Sequence, residues 1–329
     1  MGSALWGPEL AGVYDRTYAA MFGPAAAMGR DTPRRAVTAR RPGASERARD
    51  VTGGSLRSDG REAPAGPAGS TVPEYVLDHH HEGERQRLAL MSRLLDPMHR
   101  RHIEQLGIGP GARTLEVGCG NGSLSAWLAG QVVPGGRAVA ADLDLSLADA
   151  KAPGLELRQA DILAGPVPPG GFDLVTCRAV LHHVADAEAA VANLIASARP
   201  GGTILLIEPD FLPVTVAEPA EIRDFWMGWL AWSRQQGIDY FLGRRLPGML
   251  SRQGLADVAA TAETALYNGG SPWALYWQQT VIELRPRLED SGKLGPSSID
   301  AFLARCADPA WWTQTIAFTA VHGRAPAAD

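Results

Sequence analysis

The stretch that decides the fold is TLEVGCGNGSLSAW, residues 114–127, in which three glycines fall within five positions after a run of strand-forming residues. A strand pattern ends at these glycines and a helix pattern begins after them, as in the first strand-to-helix turn of a parallel sheet. Ligands of such sheets bind beyond the carboxyl ends of the strands. Residues without a Cβ let a ligand contact the backbone, and N–H groups at a helix start attract its anionic part. The motif therefore predicts a cofactor-binding turn.

Strands and helices alternate on both sides of this turn. Helices are predicted from Gly122, around 145–151 and over about 186–198, and strands over 113–117, 137–142, 155–158, 172–177 and 201–209. Upstream, the apolar face of Leu88, Leu95 and Met98 predicts a helical region that Pro97 kinks or splits into two helices. This order predicts the α/β class, with a parallel sheet covered by helices on both faces.

The remaining chain is divided by composition. Residues 1–23 form a short amphipathic segment, and 24–73, rich in Ala, Arg, Pro, Gly and Ser, are predicted to be a disordered linker. The folded domain is expected over 74–329. Helical segments at 74–107, 212–243 and 271–306 are expected to form a cap, and strands are expected over 257–266 and around Phe318.

Charge and composition exclude several classes of function. The net charge of −5 argues against a broad basic face, so no nucleic-acid partner is expected. No apolar run approaches the roughly 20 residues needed to cross a bilayer, and no secretory signal begins the chain, so a cytoplasmic protein without a membrane partner is expected. Three cysteines without a CxxC pair suggest reduced thiols and no metal site. A monomer or homodimer is expected.

Three acidic residues at strand ends indicate what the turn binds. The G-x-G-x-G spacing differs from the G-x-G-x-x-G of dinucleotide sites, and Glu116 suits a positively charged amino-acid group better than a phosphate. Asp142 closes the next strand, where a carboxylate accepts hydrogen bonds from both ribose hydroxyls. Asp161 follows the third strand, within reach of an adenine amine. Together these acids suit an adenosine without phosphates.

Five segments carry a resemblance to a known family: LEVGCGNG (115–122), AADLD (140–144), ADIL (160–163), FDLVTCRAVLHHV (172–184) and ARPGGTILLIEP (198–209). In these the chain resembles class I S-adenosylmethionine-dependent methyltransferases, especially the small-molecule enzymes of bacterial secondary metabolism. The resemblance covers about 75–210, fades in the helical insertions and is absent from the linker. It implies a Rossmann-like sheet of seven strands whose last strand is antiparallel, at WTQTIAFTAVHG (312–323).

The resemblance implies S-adenosylmethionine as cofactor, S-adenosylhomocysteine as product, and methyl transfer to a small, aromatic or partly apolar acceptor. The forked guanidinium of Arg178 is expected to reach the cofactor carboxylate, and Cys119 is expected to have no reactive role. The expected cofactor-binding residues are Glu116, Gly118, Cys119, Gly120, Asn121, Gly122, Asp142, Leu143, Asp161, Ile162 and Arg178.

Four residues are candidates for acid–base catalysis. His183 and His182 follow the fourth strand, where an imidazole can remove a proton from an attacking hydroxyl. An LHH segment is common in the family whatever the substrate, so packing or hydrogen bonding is the alternative role. Glu208 and Asp210 end the fifth strand, as a base or a substrate anchor.

Aromatic residues crowd the helical insertions, since seven of the nine tryptophans follow residue 225. Spacings of three and four residues favour one helix face and therefore the core of a lid. The alternative is an aromatic acceptor pocket, with Trp226, Trp229, Tyr240, Trp273 and Trp277 as candidates.

Other functions stay open on the sequence alone. The same fold and cofactor can serve non-methylating chemistry, such as hydroxylation or cyclisation. A nicotinamide-dependent oxidoreductase shares the strand and helix rhythm but conflicts with the glycine spacing and Glu116. A non-catalytic binding module conflicts with the intact motif set. A protein or nucleic-acid substrate would predict a wide basic trough.

Overall fold

A computed structural model describes residues 82–327. The amphipathic segment 1–23, the linker 24–73 and the first residues of the predicted domain lie outside this range. Along residues 82–327, no helix is both long and apolar enough to cross a membrane.

One mixed sheet organises the chain. Its seven strands run in the order β3 (Leu155–Gln159), β2 (Arg137–Asp142), β1 (Arg113–Val117), β4 (Phe172–Arg178), β5 (Ala198–Asp210), β9 (Ala317–Arg324) and β6 (Ala256–Glu263). Strand β9 is antiparallel to both of its neighbours. A separate two-stranded sheet pairs β7 (Leu266–Asn268) with β8 (Trp312–Gln314). The predicted antiparallel last strand is therefore confirmed over 317–323, whereas 312–314 of the predicted strand belongs to the two-stranded sheet.

Helices cover both faces of this sheet and form two hydrophobic cores. On one face Leu115, Val117 and Val175 pack with the helices at 187–197 and 246–252, and on the other Leu174 and Leu205 pack with the remaining helices. The α/β class is confirmed. The helices are α1 (Glu82–Gln105), α2 (Ser123–Val132), α3 (Ala187–Ser197), α4 (Ala220–Gln235), α5 (Leu246–Arg252), α6 (Pro272–Asp290) and α7 (Pro296–Ala307), with short 3₁₀ turns at 181–183, 213–216 and 243–245.

Strand alternation decides which side chains reach the site. In the parallel pair β1 and β4, Glu116 lies opposite Thr176. Since successive strand residues point to opposite faces, Glu116, Thr176 and Arg178 share the face that carries α1 and α2, while Val117 and Cys177 share the other. Polar side chains of β1 and β4 therefore lie on the face of the sheet that α1 covers.

Two predictions of local structure are wrong. The region around Pro97 is one uninterrupted helix, α1. Pro97 and Arg93, whose carbonyl loses its helical donor, are both exposed, so water can replace that donor. No helix forms at 145–151. Instead, the Asp144 carboxylate accepts from the backbone N–H and hydroxyl of Ser146, a local bond that competes with helix formation.

The cap is built on aromatic packing between α4, α6 and α7. Phe225 stacks on Phe302 with ring centroids 4.0 Å apart, and Trp226 meets Trp277 edge-on at 4.8 Å. Trp226 is 2% exposed. The spacing of three and four residues on α4 therefore reflects a buried face.

Trp226→Ala should lower the free energy of unfolding by about 3–5 kcal/mol, because the indole fills the cap core. Trp312 on β8 is 63% exposed, so the matched Trp312→Ala should change it by less than about 0.5 kcal/mol. Urea unfolding of the two variants measures both. Equal losses would place Trp226 outside the core.

Candidate functional site

The glycine turn joins β1 to α2 and packs against the segment after β4. Gly118, Gly120 and Gly122 all have left-handed φ angles, of 72°, 53° and 77°. A Cβ on Gly118 would lie 2.1 Å from Cγ2 of Val180, whereas one on Gly120 would lie 3.6 Å from Leu88. The absent side chain of Gly118 therefore lets two loops approach each other.

Asp142 stands beside this turn at the end of β2. Its Oδ2 accepts from the N–H of Gly120 at 2.9 Å, and its Oδ1 accepts from the N–H of Asp144 at 3.4 Å. Each carboxylate oxygen can accept more than one hydrogen bond. Asp142 can thus fix the turn and also accept from a ligand's hydroxyl groups.

The third acid, Asp161, lies two residues beyond β3, whose last residue pairs with Asp142. It is exposed, and its Oδ1 accepts from the N–H of Leu163 at 2.8 Å. Leu143 is 59% exposed at the same edge, while Ile162 is buried. Since β1, β2 and β3 are neighbours, the sheet brings the predicted residues of these three strand ends to one edge.

Glu116 is buried beneath the turn and accepts a short hydrogen bond from the hydroxyl of Ser125 on α2. Burial raises the pKa of Glu116 to about 7, although the hydrogen bond from Ser125 and the charge of Arg178 oppose the rise. The carboxyl is therefore poised between its two protonation states near neutral pH.

Arg178 is tied to α1 by a buried ion pair. Its Nη2 donates to Oδ1 of Asp96 at 2.8 Å, and Oδ2 of Asp96 accepts from the hydroxyl of Ser123 at 2.9 Å. Within residues 82–327, the buried Nη1 of Arg178 has no hydrogen-bond acceptor. A buried donor without an acceptor is unfavourable, so a ligand carboxylate that reached it would be stabilised.

His99 of α1 adds a second unsatisfied atom to this face. The hydroxyl of Thr176 donates to the carbonyl of Leu205, so Nε2 of His99, at 2.7 Å, is the donor to that hydroxyl. Burial, with the charge of Arg178, holds the pKa of His99 well below its usual value. Its neutral Nδ1 has no partner in the described chain.

Asn121 and Cys119 have structural contacts in the turn. Oδ1 of Asn121 accepts from the N–H of Ser123 at 3.1 Å and from the hydroxyl of Ser92 on α1 at 3.2 Å. Cys119 is buried, and burial raises the pKa of its thiol far above the usual value. The thiol therefore stays protonated.

Glu208 is fully buried at the end of β5 and holds the 3₁₀ turn after β4. Its Oε1 accepts from the N–H groups of Val180 and Leu181 at 2.9 and 2.8 Å. Its Oε2 lies 2.6 Å from Nδ1 of His182 and 3.3 Å from that residue's backbone nitrogen. One carboxylate thus fixes both the turn and the imidazole.

Asp210 forms an ion pair with Arg244 outside the site of Glu208 and His182. Arg244 donates to both of its oxygens, at 2.7 and 2.5 Å, and the N–H of Leu212 donates to Oδ1 at 2.9 Å. This bidentate pair directs the carboxylate toward Arg244, and Asp210 is not among the residues that line the cavity described next.

A cavity of about 70 Å³ lies between the sheet and the cap. Trp229 of α4, Trp277 of α6 and Tyr240 line it together with His182 and His183. Trp226 and Trp273 lie outside this lining. Trp226 belongs to the cap core, and Trp273 stacks on Phe318 with ring centroids 6.2 Å apart.

The charges in the cavity wall are balanced. Arg87 of α1 lines the cavity and is paired with Glu84 through bonds of 2.6 and 2.7 Å, while its Nη1 donates to the hydroxyl of Tyr276 at 3.3 Å. Burial, followed by the influence of His182 and Arg87, holds the pKa of His183 well below its usual value. The wall therefore carries aromatic and aliphatic side chains, a paired arginine and a neutral imidazole.

A comparison with protein families identifies the chain. The model of a methyltransferase domain matches residues 83–260, more than half of the 329 residues. The chain belongs to the methyltransferase-domain family.

Individual relatives match shorter stretches of the chain. An uncharacterized 37.1 kDa protein in transposon TN4556 of Streptomyces fradiae is 32% identical over 123 residues, 36% of each chain. A ubiquinone biosynthesis O-methyltransferase of Bordetella bronchiseptica is 39% identical over 109 residues, 31% of this chain and 44% of that protein. These matches span less than half of the curated relatives.

Among solved structures, the chain is similar in fold to a SAM-dependent methyltransferase from Geobacter sulfurreducens in complex with S-adenosyl-L-homocysteine. The TM-score is 0.39 at 20% identity, and the match covers 66% of this chain and 86% of that one.

Several polar residues of the site escaped prediction because they lie on α1. Glu84, Arg87, Asp96 and His99 are all buried, and they pair with each other or with distant strands and helices. They recur at helical spacings alongside Leu88 and Leu95 on the buried face. The sequence did contain a signal for these residues, because charged side chains occur on the apolar face of the predicted helix.

Glu116→Gln should change how stability depends on pH. A raised folded-state pKa means that the native protein binds the proton more tightly than the unfolded chain, so stability is lost as pH rises through the interval from 4.5 to about 7. The wild type should therefore lose about 3 kcal/mol relative to Glu116→Gln across this interval. Urea unfolding at successive pH values measures the difference, and a constant difference would contradict the raised pKa. Ser125→Ala removes the lowering hydrogen bond and should move the loss to higher pH.

Gly118→Ala should destabilise the protein more than Gly120→Ala. Both substitutions force alanine into the left-handed region, at about 1–2 kcal/mol each. Only Gly118→Ala also overlaps Val180, which should add about 1–3 kcal/mol. Val180→Ala should recover part of this excess in a double-mutant cycle of unfolding free energies. Equal effects of the two alanines would refute the close contact.

Proposed function

We propose that this protein transfers a methyl group from S-adenosylmethionine to a small aromatic or partly apolar acceptor. When bound, S-adenosylmethionine supplies a methyl group on a positively charged sulfur that already carries its leaving group. The observation that supports the proposal best is the arrangement of Gly120, Asp142 and Asp161 at one edge of the sheet. Family membership supports the same reaction.

The residues of this edge fit the groups of the nucleoside. Asp142 would accept from the ribose hydroxyls while it holds the N–H of Gly120. Asp161 would accept from the adenine amine, and Leu143 and Ile162 would flank the base. Leu143 is 59% exposed in this structure, so a ligand at that edge would cover an apolar side chain.

The buried polar residues on the α1 face fit an amino-acid group. The unsatisfied Nη1 of Arg178 would receive its carboxylate, and Glu116 would face its ammonium group. Asn121, Cys119, Gly118 and Gly122 complete the turn around it. A phosphate would conflict with Glu116.

The cavity between sheet and cap is the proposed acceptor site. Its aromatic wall favours an apolar, planar acceptor, and the neutral pair of Arg87 with Glu84 adds no net charge. The protein would contribute alignment of the reactants and exclusion of water, which can lower such a barrier by about 7–11 kcal/mol. A role in secondary metabolism is part of the same proposal.

Asp142→Ala should weaken binding of S-adenosylmethionine by about 10²-fold or more, because two hydrogen bonds to a charged acceptor are lost at about 1.5–3 kcal/mol each. Isothermal titration calorimetry measures the affinity. Asp300→Ala, which changes a carboxylate that is 62% exposed on α7, is the control and should bind as the wild type does. Binding of NADH by the wild type, or an unchanged affinity in Asp142→Ala, would refute the proposal. Turnover of an acceptor without formation of S-adenosylhomocysteine would favour non-methylating chemistry.

A further inference from the structure

One buried hydrogen-bond donor in the cavity wall has no acceptor in the described chain. Trp229 of α4 is 1% exposed and lines the cavity, and within residues 82–327 its indole Nε1–H donates to no other group. The indole of Trp277, which also lines the cavity, differs because it donates to the hydroxyl of Thr315 at 3.5 Å. A buried N–H group without an acceptor is unfavourable, so a ligand oxygen that accepted from Trp229 would be stabilised.

The position of Trp229 distinguishes it from other buried groups of this kind. The indole nitrogen of Trp311 is also buried without an acceptor in the described chain, but Trp311 does not line the cavity. Nη1 of Arg178 and Nδ1 of His99 likewise belong to residues outside the lining. Of these side chains, Trp229 is therefore the one that an occupant of the cavity would contact.

A second donor lies in the same wall. Nη1 of Arg87 donates to the hydroxyl of Tyr276 at 3.3 Å, which leaves the hydrogen of that hydroxyl to be donated. The sulfur of Met91, 4.0 Å from the hydroxyl oxygen, is a weak acceptor for this hydrogen. The permanent charge of Arg87 polarises the hydroxyl group and strengthens it as a donor. Tyr276 and Trp229 both pack edge-on against Trp277, with ring centroids 5.1 and 6.1 Å away, so the two donors surround one aromatic ring.

The charge balance of the wall favours a neutral oxygen as their partner. Arg87 is paired with Glu84 through two hydrogen bonds, so among the described lining residues no arginine or lysine is left to offset a buried carboxylate. An ammonium or amide N–H group would place a donor against two donors. The carbonyl oxygen of an aromatic ketone is neutral, accepts two hydrogen bonds and keeps the planar shape that aromatic side chains contact well.

We propose that Trp229 and Tyr276 determine acceptor specificity by donating hydrogen bonds to a carbonyl oxygen, so that the acceptor is an aromatic carbonyl compound. The inference depends on the proposed function, because it takes the cavity to be the acceptor site. The two lone pairs of the oxygen receive the indole N–H and the phenolic O–H, while the ring of the acceptor packs among the aromatic side chains of the wall. Both residues orient the acceptor, and neither makes or breaks a covalent bond.

The first test compares two ligands that differ in one group. The carbonyl oxygen of para-hydroxyacetophenone is replaced by two hydrogens in para-ethylphenol, and the two molecules have nearly the same shape. Calorimetric titration of the full-length protein in the presence of S-adenosylhomocysteine measures both affinities without turnover. Trp229→Phe and Tyr276→Phe should each lower the ratio of the ketone affinity to the ethylphenol affinity by about 2–12-fold, the effect of one hydrogen bond.

Trp311→Phe is the matched control for this comparison. It also removes a buried indole N–H group that has no acceptor in the described chain, but from outside the cavity lining, so its affinity ratio should equal that of the wild type. A general loss of packing in any variant would lower both affinities and cancel in the ratio. Far-UV circular dichroism verifies folding, and Tyr276→Phe, which removes one oxygen atom, tests the inference if Trp229→Phe is unfolded.

The second test observes the N–H group itself. In the full-length protein with nitrogen-labelled tryptophan, the signal of the Trp229 indole is identified by its absence from the NMR spectrum of Trp229→Phe. This signal should move downfield when para-hydroxyacetophenone binds and should move less with para-ethylphenol, because only the ketone supplies an acceptor. The indole signal of Trp311 should stay in place with both ligands.

The outcomes separate this inference from the proposed function. An unchanged affinity ratio in Trp229→Phe or in Tyr276→Phe would overturn the inference. It would also be overturned if the ketone bound without moving the Trp229 signal, the result expected when a fixed water molecule keeps this N–H group. A wild type that forms S-adenosylhomocysteine with other acceptors but does not bind the ketone would overturn this inference alone. A wild type that binds the ketone but no S-adenosylmethionine would instead refute the proposed function.

Discussion

The close approach of Gly118 to Val180 is the constraint on which the site depends. It brings the turn after β1 against the turn after β4, with no room for a side chain between them. Val180 is held in turn by Glu208, through its backbone N–H. Ala179, the residue before it, has a left-handed φ of 56°, an unfavourable conformation that the surrounding contacts maintain. The edge that carries Asp142 and the cavity lined by His182 are therefore positioned relative to each other by the contact between these two turns.

A second theme is the concentration of buried polar groups on one helix. Asp96 and His99 of α1 reach β4, and Arg87 reaches the cavity. Buried charges are unfavourable unless they are paired, and here the ion pairs and hydrogen bonds satisfy most of them. Among the buried atoms that have no partner within residues 82–327, Nη1 of Arg178 and Nδ1 of His99 lie on the face of the sheet that α1 covers, and Nε of Arg100 lies on α1 itself. Unsatisfied atoms of this kind are expected where a ligand completes the network.

The sequence predicted the sheet well because its signals are local. The β1 strand has the predicted bounds, since a buried parallel strand reads as a short apolar run that ends in a glycine turn. The helix predicted at 145–151 is wrong because one side chain, Asp144, bonds to the backbone nearby. The split predicted at Pro97 is wrong because solvent tolerates the lost hydrogen bond. At 145–151 a single side chain overrides the predicted helix, whereas at Pro97 the helical pattern continues through the proline.

The candidate site was less predictable because its roles depend on distant contacts. Nothing near Glu208 in sequence shows that it would bond to the turn at 180–182, and Trp226 and Trp229 share one helix face although only Trp229 reaches the cavity.

Helix α1 touches both halves of the site. Ser92 and Asp96 hold the glycine turn, while Arg87 and Met91 form part of the cavity wall. A rigid displacement of this helix that widened the cavity would also break its bonds to Asn121 and Ser123. Under the proposed function, a bulky acceptor would enter and the glycine turn would loosen in one motion, so a single moving element would set the order in which the two substrates bind.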